Sequence, residues 1–404
     1  MDILSLVERH ERWRGEECLN LQPSENLVSP QVKRALGSDL AGRYTLPWSG
    51  EIHGSAVHNA YGGTRYLDQI EAAGEELARA VFRARHASLK PLSGHVAGVI
   101  AILATTAPGD TILAVAGANG GYDGYGSDYI PRALGGTRHV EALPFYESAW
   151  QVDTDAAATK IHALRPALVL LGASFLLFPY DIGPIRKAAD AVGALIGYDG
   201  SHVLGLIAGG AFQQPLAEGA DLLIGSTHKS FFGPQGGLLL TNRDDIWQRA
   251  SEQMLWRTLD NVHWNRVAGL AQALAEHQAF GADFAQQVVE NAKVLAGELD
   301  RRGLPVRFKA HGYTESHQIL LDENGLKQSL GLTPQEFSSA LERSNLIVDA
   351  VARIGTSEVT RLGAAEAEMG EIAGLVWRAA RGENVKGEVV ALRSRLILSY
   401  AFGT

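Results

Sequence analysis

The middle of the chain alternates short apolar runs with amphipathic stretches, and this alternation constrains the fold more than any other feature. Short apolar runs bounded by Gly, Pro or Asp are typical of buried strands, whereas apolar positions recurring every three or four residues predict helices. Strands that alternate with helices are typical of an α/β fold. The predicted strands are 110–115, 138–142, 167–172, 194–198, 220–225 and 238–241, with predicted helices at 154–164 and 183–192.

The same pattern extends to both ends of the chain. Further helices are predicted at 2–14, 65–83, 92–106, 256–276 and 280–302. Beyond residue 285, strands 304–308, 316–321 and 345–349 and helix 333–343 indicate a smaller α/β lobe. Because 404 residues exceed what one core normally organises, we expect more than one domain. The expected division is an N-terminal arm at 1–45, a large domain at 46–284 and a small C-terminal domain at 285–404.

Composition limits the classes of binding partner and the cellular compartment that we expect for this chain. The net charge is -9, and no run of Lys or Arg is present, which argues against nucleic acid or an anionic membrane as a partner. Cys18 is the only cysteine, so the chain cannot form an internal disulfide. Asp2 and Glu8 interrupt any signal-peptide pattern, and no long apolar span is present, so we expect a cytoplasmic protein. No Cys/His cluster has metal-ligand spacing.

One lysine lies between the last two predicted strands. Residues 226–229 read Ser-Thr-His-Lys, and a Gly/Pro turn follows at 233–237. A lysine at the mouth between two buried strands loses part of its hydration, which lowers the amine pKa, and a neutral amine can form a Schiff base. The alternative is a solvated loop lysine. Lys229 is therefore a candidate for covalent attachment of a carbonyl cofactor.

Other polar positions suit a phosphorylated pyridine cofactor. Ser93 and Gly94 open a predicted helix, whose free N–H groups can bind a phosphate, although Ser-Gly is also an ordinary helix cap. Asp199 ends a predicted strand, where a carboxylate can keep a pyridine nitrogen protonated, or can simply begin a turn. Ser174 follows strand 167–172, at the edge where sites collect in open α/β sheets. Together with Lys229, these positions predict a pyridoxal phosphate (PLP) site.

Four segments, in this order along the chain, resemble the serine hydroxymethyltransferase family. They are Ser-Glu-Asn at 24–26, Tyr-Gly-Gly at 61–63, the lysine segment 226–237 and Arg-Ile-Gly-Thr at 353–356. The resemblance covers most of the chain. It implies the aspartate-aminotransferase-like architecture of fold-type I PLP enzymes, an α/β fold with a mainly parallel sheet and a small C-terminal domain. It also implies a homodimer with shared active sites and a small amino acid and an aldehyde as ligands.

The resemblance also implies roles for individual residues. Arg353 would bind the substrate carboxylate bidentately, although a surface arginine is the alternative. The expected cofactor contacts are Ser93, Gly94, His95, Tyr122, Ser174, Asp199, His202, Ser226, Thr227 and Lys229. The expected substrate contacts are Ser24, Tyr44 and Arg353, and the expected catalytic residues are Lys229, His228, Tyr44, Tyr61 and Glu51.

The sequence departs from the family pattern at several functional positions. Where the family has a glutamate two residues after the first tyrosine, this chain has Leu46, and Glu51 is the candidate to replace that carboxylate. The stretch from Trp48 to Asn59 is longer than in the family, and it contains Glu51, His53 and His58. The two histidines are equally well explained as exposed loop residues. Other departures are Ala60 for the first of two paired tyrosines, Tyr122 for a stacked histidine, Gln235 for an arginine, residues 261–265 for a Gly-Gly turn, and a short loop before Arg353.

Three functions remain open at this point. The departures favour an aldolase or transaldolase that makes or breaks the Cα–Cβ bond of serine, threonine or α-methylserine with little use of folate. The alternative is a tetrahydrofolate-dependent serine or α-methylserine hydroxymethyltransferase. A PLP-binding protein without catalysis is the remote third possibility, which the presence of Lys229, Asp199 and Arg353 disfavours.

Overall fold

The computed structural model describes residues 2–52 and 55–403, without the side chains of residues 47–52 and 55–58. It forms two compact units. The first, here called the sheet unit, comprises Val28–Phe175 and Tyr180–Ala279. The second, the terminal unit, comprises the chain to Leu27, Leu176–Pro179 and the chain from Phe280. The arm and domain limits expected from the sequence stay predictions.

The strands and helices follow one another as the sequence pattern indicates for an α/β protein. The strands are β1 Leu19–Asn20, β2 Pro47–Ile52, β3 Ser55–Asn59, β4 His86–Ser88, β5 Thr111–Ala114, β6 His139–Ala142, β7 Phe145–Tyr146, β8 Gln151–Val152, β9 Leu168–Gly172, β10 Leu195–Asp199, β11 Leu222–Ser226, β12 Gly237–Thr241, β13 Gln318–Leu320, β14 Leu346–Ile347 and β15 Arg353–Gly355. The helices are α1 Ile3–Arg12, α2 Pro30–Leu36, α3 Arg65–Phe82, α4 Gly94–Thr105, α5 Ile130–Ala133, α6 Thr154–Leu164, α7 Ile182–Val192, α8 Leu204–Ala208, α9 Pro215–Glu218, α10 Asp244–Met254, α11 Trp264–Arg301, α12 Glu323–Leu330, α13 Pro334–Glu342, α14 Ser357–Arg361, α15 Glu366–Ala380 and α16 Lys386–Arg395.

The sheet unit is built on a seven-stranded mixed sheet in the order β4-β12-β11-β10-β9-β5-β6. The pairs from β11 to β6 are parallel, whereas β12 pairs antiparallel with both β11 and β4. Strands β9, β11 and β12 are buried along their whole length, as expected for near-continuous apolar strands covered on both faces. The predicted fold class is confirmed.

The register of three parallel strands brings their carboxyl ends to one edge of the sheet. Asp199 of β10 pairs with Gly172 of β9 on one side and with Ile224 of β11 on the other. Gly172 has φ of +105°, and a Cβ atom there would lie 2.1 Å from the carbonyl oxygen of Asp199. Only glycine allows this approach. The residues that follow these three strands therefore emerge side by side.

The terminal unit has its own apolar core. Strands β13 and β15 pair antiparallel, and β1 pairs in parallel with β14. Fully buried apolar side chains from these strands and from surrounding helices form one cluster, which includes Leu19, Leu295, Ile319, Phe337, Leu346, Ile354, Ile372 and Val376. None of the described helices is both long and apolar enough to span a bilayer.

Two local predictions are wrong. Residues 256–302 do not form two helices, because α11 runs without a break through residues 277–279 and begins only at Trp264. No proline lies in this segment, so no residue in it forces the helix to end. Residues 304–308 do not form a strand, since only an isolated bridge joins Val306 to Leu321.

Candidate active site

A polar cavity of about 250 Å³ lies in the sheet unit at the carboxyl edge of the parallel strands. It brings together most of the cofactor contacts predicted from the sequence. Its lining consists of Ser93, Gly94, His95, Tyr122, Ala173, Ser174, Asp199, Ser201, His202, Ser226, His228 and Lys229. Residues from five separate segments of the chain, including the segment that carries Lys229, thus meet at one cavity.

Lys229 is half-buried and lies on the loop between β11 and β12. Its Nζ is 3.1 Å from Nε2 of His202, which is 4% exposed. Thr227 is fully buried, and its hydroxyl donates to the carbonyl of Pro234 at 2.6 Å. The Thr227 N–H also donates to the carbonyl of Gly236. Thr227, expected as a cofactor contact, therefore closes the loop that carries Lys229, and it does not line the cavity.

An anion cradle lies beside the lysine at the start of α4. Ser93 caps this helix by accepting a hydrogen bond from the N–H of Val96 at 3.1 Å. A Cβ atom at Gly94 would lie 2.2 Å from Oγ of Ser226 and 3.1 Å from Oγ of Ser201. The Ser226 N–H donates to the Ser201 hydroxyl at 3.0 Å. Serine hydroxyls thus converge with the N–H groups of a helix start, a combination that binds phosphate.

The carboxylate of Asp199 is buried and held in a fixed orientation. Tyr125 Oη donates to Asp199 Oδ2 at 2.6 Å, and the Ser201 N–H donates to Oδ1 at 2.9 Å. Burial and the neighbouring Asp199 raise the pKa of Tyr125 well above its ordinary value, so the phenol keeps its proton at neutral pH. Tyr125 therefore remains the donor and Asp199 the acceptor.

Tyr122 lies in the cavity where the family pattern has a histidine. Its Oη is 2.9 Å from Nδ1 of His95, and its ring stands edge-on to Tyr125 with the centroids 5.2 Å apart. Burial raises the pKa of Tyr122, and Asp199 raises it further. The side chain is therefore neutral at physiological pH, and no positive charge exists at this position.

The terminal unit brings together the two predicted contacts for the substrate carboxylate. The Gly355 N–H donates to the carbonyl of Leu21 at 2.6 Å, and a Cβ atom at Gly355 would lie 2.7 Å from Cα of Pro23. The loop that contains Ser24 therefore packs on strand β15, which begins with Arg353. Arg353 is 7% exposed, and its Nε donates to Asp349 Oδ2 at 2.7 Å.

The predicted catalytic tyrosines are not among the residues that line the cavity. Tyr44 and Tyr61 lie in the sheet unit, both exposed, with their rings edge-on at 5.1 Å between centroids. His53 lies outside the described residues, and so do the side chains of Glu51 and His58. The proposed replacement of the missing carboxylate by Glu51 stays a prediction.

Sequence reasoning missed three residues that shape this region: Ser201, Tyr125 and Arg266. Arg266 is 6% exposed, and its Nη2 donates to the carbonyls of Leu89, Lys90 and Val262. A Cβ atom at Gly236 would lie 2.7 Å from its Nη1. No ion pair involves Arg266 in the described part of the chain, and burial lowers its pKa to about 10. The guanidinium of Arg266 therefore packs against the lysine loop next to Gln235. At position 235 the family has an arginine, whose positive charge this chain lacks.

The residues of the cavity fit a PLP molecule. The close approach of Gly94 to Ser226 leaves no room for a side chain at the helix start, as a phosphate cradle requires. Lys229 offers an amine, and Asp199 offers a carboxylate that Tyr125 and Ser201 hold in place. The donor set therefore suits a phosphate, a carbonyl and a pyridine nitrogen on one ligand.

Comparisons with known proteins agree with this chemistry. The model of the family "Serine hydroxymethyltransferase" matches residues 1–376. Two curated relatives carry the name serine hydroxymethyltransferase. The one from Methanothermobacter thermautotrophicus is 38% identical, covering 99% of this chain and 95% of its own length. The one from Methanopyrus kandleri is 39% identical, covering 96% of this chain and 90% of its own length.

A solved structure shares the fold. The L-threonine transaldolase from Pseudomonas fluorescens superposes with a TM-score of 0.87 at 24% identity, covering 99% of this chain and 93% of that chain. The family match extends over most of the sequence, so the resemblance noted at the lysine segment is confirmed. The chain belongs to the serine hydroxymethyltransferase family, and it is a PLP-dependent enzyme of the kind that transfers or cleaves carbon–carbon bonds.

Proposed function

We propose that the chain is a tetrahydrofolate-dependent serine hydroxymethyltransferase, with PLP carried on Lys229. One observation carries the proposal. In a chain 38% identical to relatives of that name, a lysine, an oriented carboxylate and a helix N-terminus converge on one cavity. This reverses the preference that the sequence alone suggested, because the relatives favour the folate-dependent alternative.

Each cavity residue has a defined task in this proposal. Bound PLP supplies an electron sink for the bonds at Cα of an amino acid. Asp199, oriented by Tyr125 and Ser201, holds a proton at the pyridine nitrogen. His202, 3.1 Å from Nζ of Lys229, exchanges a hydrogen bond with the amine and keeps it directed into the cavity. Ser93, Ser201 and Ser226 bind the phosphate.

The substrate contacts come from elsewhere in the protein. Arg353 binds the amino-acid carboxylate through two parallel hydrogen bonds, which fixes the orientation of the bonds at Cα. Ser24, on the loop packed against the Arg353 strand, adds a hydroxyl. Tyr44 and Tyr61 act in the active site of the second subunit of a homodimer. Their exposure and their absence from the lining of the cavity fit this arrangement.

A folate-independent aldolase or transaldolase is the second candidate. Leu46 favours it, because an aliphatic side chain cannot handle the protons that the family's glutamate manages in the folate-dependent reaction. Ala60, in place of a tyrosine, points the same way. The two candidates differ in the acceptor of the one-carbon unit, so an experiment on the acceptor separates them.

The test compares cleavage of three β-hydroxy amino acids, L-serine, L-threonine and α-methylserine, with and without tetrahydrofolate. We expect glycine to form from serine much faster when tetrahydrofolate is present. Cleavage of threonine at the same rate with or without tetrahydrofolate, together with no stimulation for serine, would replace this proposal by the aldolase. The Lys229→Ala protein is the control for cleavage that does not require the cofactor.

A further inference from the structure

An exposed tyrosine–carboxylate pair lies in the sheet unit and does not line the Lys229 cavity. Tyr44 Oη donates to Asp260 Oδ1 at 2.6 Å. The ring of Tyr61 packs edge-on against Tyr44, with the centroids 5.1 Å apart and an angle of 64° between the planes. Two predicted catalytic tyrosines thus share a surface with a carboxylate that no sequence motif singled out.

Asp260 follows a turn with defined geometry. The Trp256 N–H donates to the carbonyl of Leu259 at 2.8 Å, and the Leu259 N–H donates to that of Met254 at 2.9 Å. Trp256 and His263, on either side of Asp260, have left-handed backbones with φ of 64° and 55°. Such conformations are unfavourable in a residue other than glycine, and they persist where the surrounding structure fixes them. The turn therefore determines where the Asp260 carboxylate lies.

The hydrogen bond sets the chemical character of the phenol. A carboxylate only accepts hydrogen bonds, so the Tyr44 hydroxyl directs its proton to Asp260 and turns its lone pairs to other partners. The hydrogen bond to Asp260 raises the pKa of Tyr44 to about 12, and Tyr61 is the other titratable group that contributes. Tyr44 is therefore a protonated phenol whose free capacity is that of an acceptor.

We propose that Asp260 is a positioning residue, which orients Tyr44 to accept a hydrogen bond from the hydroxyl of a β-hydroxy amino acid. The proposal rests on the proposed function, which assigns Tyr44 to the active site. The ligand group it recognises is the β-hydroxyl. Glycine lacks that group, so Asp260 affects reactions of serine more than events at Cα of glycine.

The first experiment measures the contact without using activity. Carbon-13 at Cζ of tyrosine reports the phenol pKa by NMR, and the Tyr44→Phe protein assigns the Tyr44 signal. We expect Asp260→Asn to lower the Tyr44 pKa toward its ordinary value. Asp128→Asn is the control, since it removes one exposed carboxylate that pairs only loosely with Arg132, at 3.8 Å. An unchanged Tyr44 pKa in Asp260→Asn would overturn the proposal.

The second experiment measures the consequence for the reaction. We expect Asp260→Asn to lower kcat for serine about tenfold or more, as loss of a charge-assisted hydrogen bond implies, with little change in PLP affinity. Asp260→Glu keeps the charge and should recover most of the activity. The rate of exchange of the glycine Cα protons with deuterated water should change much less than kcat for serine. An equal loss in both reactions would contradict a role at the β-hydroxyl.

The double variant separates this inference from the proposed function. If Asp260 acts through Tyr44, adding Asp260→Asn to Tyr44→Phe should cause little further loss. Multiplicative losses would overturn the inference and leave the proposed function intact. If the Tyr44 pKa falls but Tyr44→Phe has full activity, the contact exists and the assignment of Tyr44 to the active site fails.

Co-expression with Lys229→Ala tests whether Tyr44 and Asp260 act in the second subunit. Each mixed dimer of Lys229→Ala and Asp260→Asn subunits would contain one site with both an intact Lys229 and an intact Asp260. Random pairing should then recover about a quarter of the wild-type activity. No recovery would place Asp260 in the same subunit as the lysine it serves and would contradict the shared site in the proposed function.

Discussion

The Lys229 cavity and the Tyr44–Asp260 pair belong to the same unit but are built in opposite ways. In the cavity, Asp199, Ser201 and His202 are each less than 9% exposed, and strand register fixes their positions. Tyr44 is 36% exposed, and its described contacts are a hydrogen bond to Asp260 and the edge of the Tyr61 ring. The difference indicates that the two regions have different functions, one in binding the cofactor and one in contacting the substrate. Cofactor chemistry needs an oriented and largely buried set of groups, whereas contacts with the changing part of a substrate can lie on an exposed surface.

The largest effect should come from Lys229→Ala. The substitution removes the only amine that lines the cavity among the described residues, so the Schiff-base absorbance should disappear and activity should fall at least about a thousandfold. An absorbance titration with PLP measures the first effect. A surviving Schiff-base band would show that another lysine carries the cofactor, and the contrast between the two regions would then have no basis.

Asp199→Asn should have the next largest effect. The amide keeps the shape but loses the charge that stabilises a protonated ring nitrogen, so turnover of every substrate should fall about a hundredfold. Tyr125→Phe is the graded comparison, because it removes only the 2.6 Å hydrogen bond and should cost about tenfold. Initial rates with serine and with glycine exchange measure both variants. A loss confined to one substrate would contradict the assignment of Asp199 and Tyr125 to the cofactor, because a cofactor group should affect every substrate.

Gly94→Ala should weaken cofactor binding more than it slows chemistry. The added methyl would lie 2.2 Å from Oγ of Ser226, and overpacking of this kind costs about 1–3 kcal/mol, which corresponds to a Kd for PLP about 5- to 150-fold higher. Fluorescence titration of the apoprotein measures it. Gly387→Ala is the matched control, since a Cβ atom there meets no atom within 4 Å. Equal effects of the two substitutions would argue against a phosphate cradle at Gly94.

The smallest effect should come from Tyr122→Phe. The ring and its contact with Tyr125 remain, and only the 2.9 Å contact with His95 is lost, so kcat should fall only a few-fold. Steady-state kinetics with serine measure the change. A loss as large as that of Asp199→Asn would show that the Tyr122 hydroxyl takes part in chemistry and that aromatic contact alone does not explain this position.

Local sequence patterns predict the class of fold and mark the lysine segment. Apolar runs that alternate with amphipathic stretches indicate an α/β fold, and this signal is local, because it depends on periodicity within single segments. The mainly parallel sheet was implied by the resemblance to the family. The cofactor could likewise be predicted from local patterns. Ser93, Asp199 and Lys229 each lie at the end of an element whose type the neighbouring residues reveal.

The groups that complete the site become evident from contacts between distant parts of the folded chain. Tyr125 meets Asp199 across 74 positions, and Tyr44 meets Asp260 across 216, so no local pattern marks these partners. The single helix at 264–301 was likewise not evident from apolar periodicity, which indicated separate helices at 256–276 and 280–302. Strand register and glycine contacts bring distant side chains within hydrogen-bonding distance, and those distances are properties of the folded chain and not of any one segment.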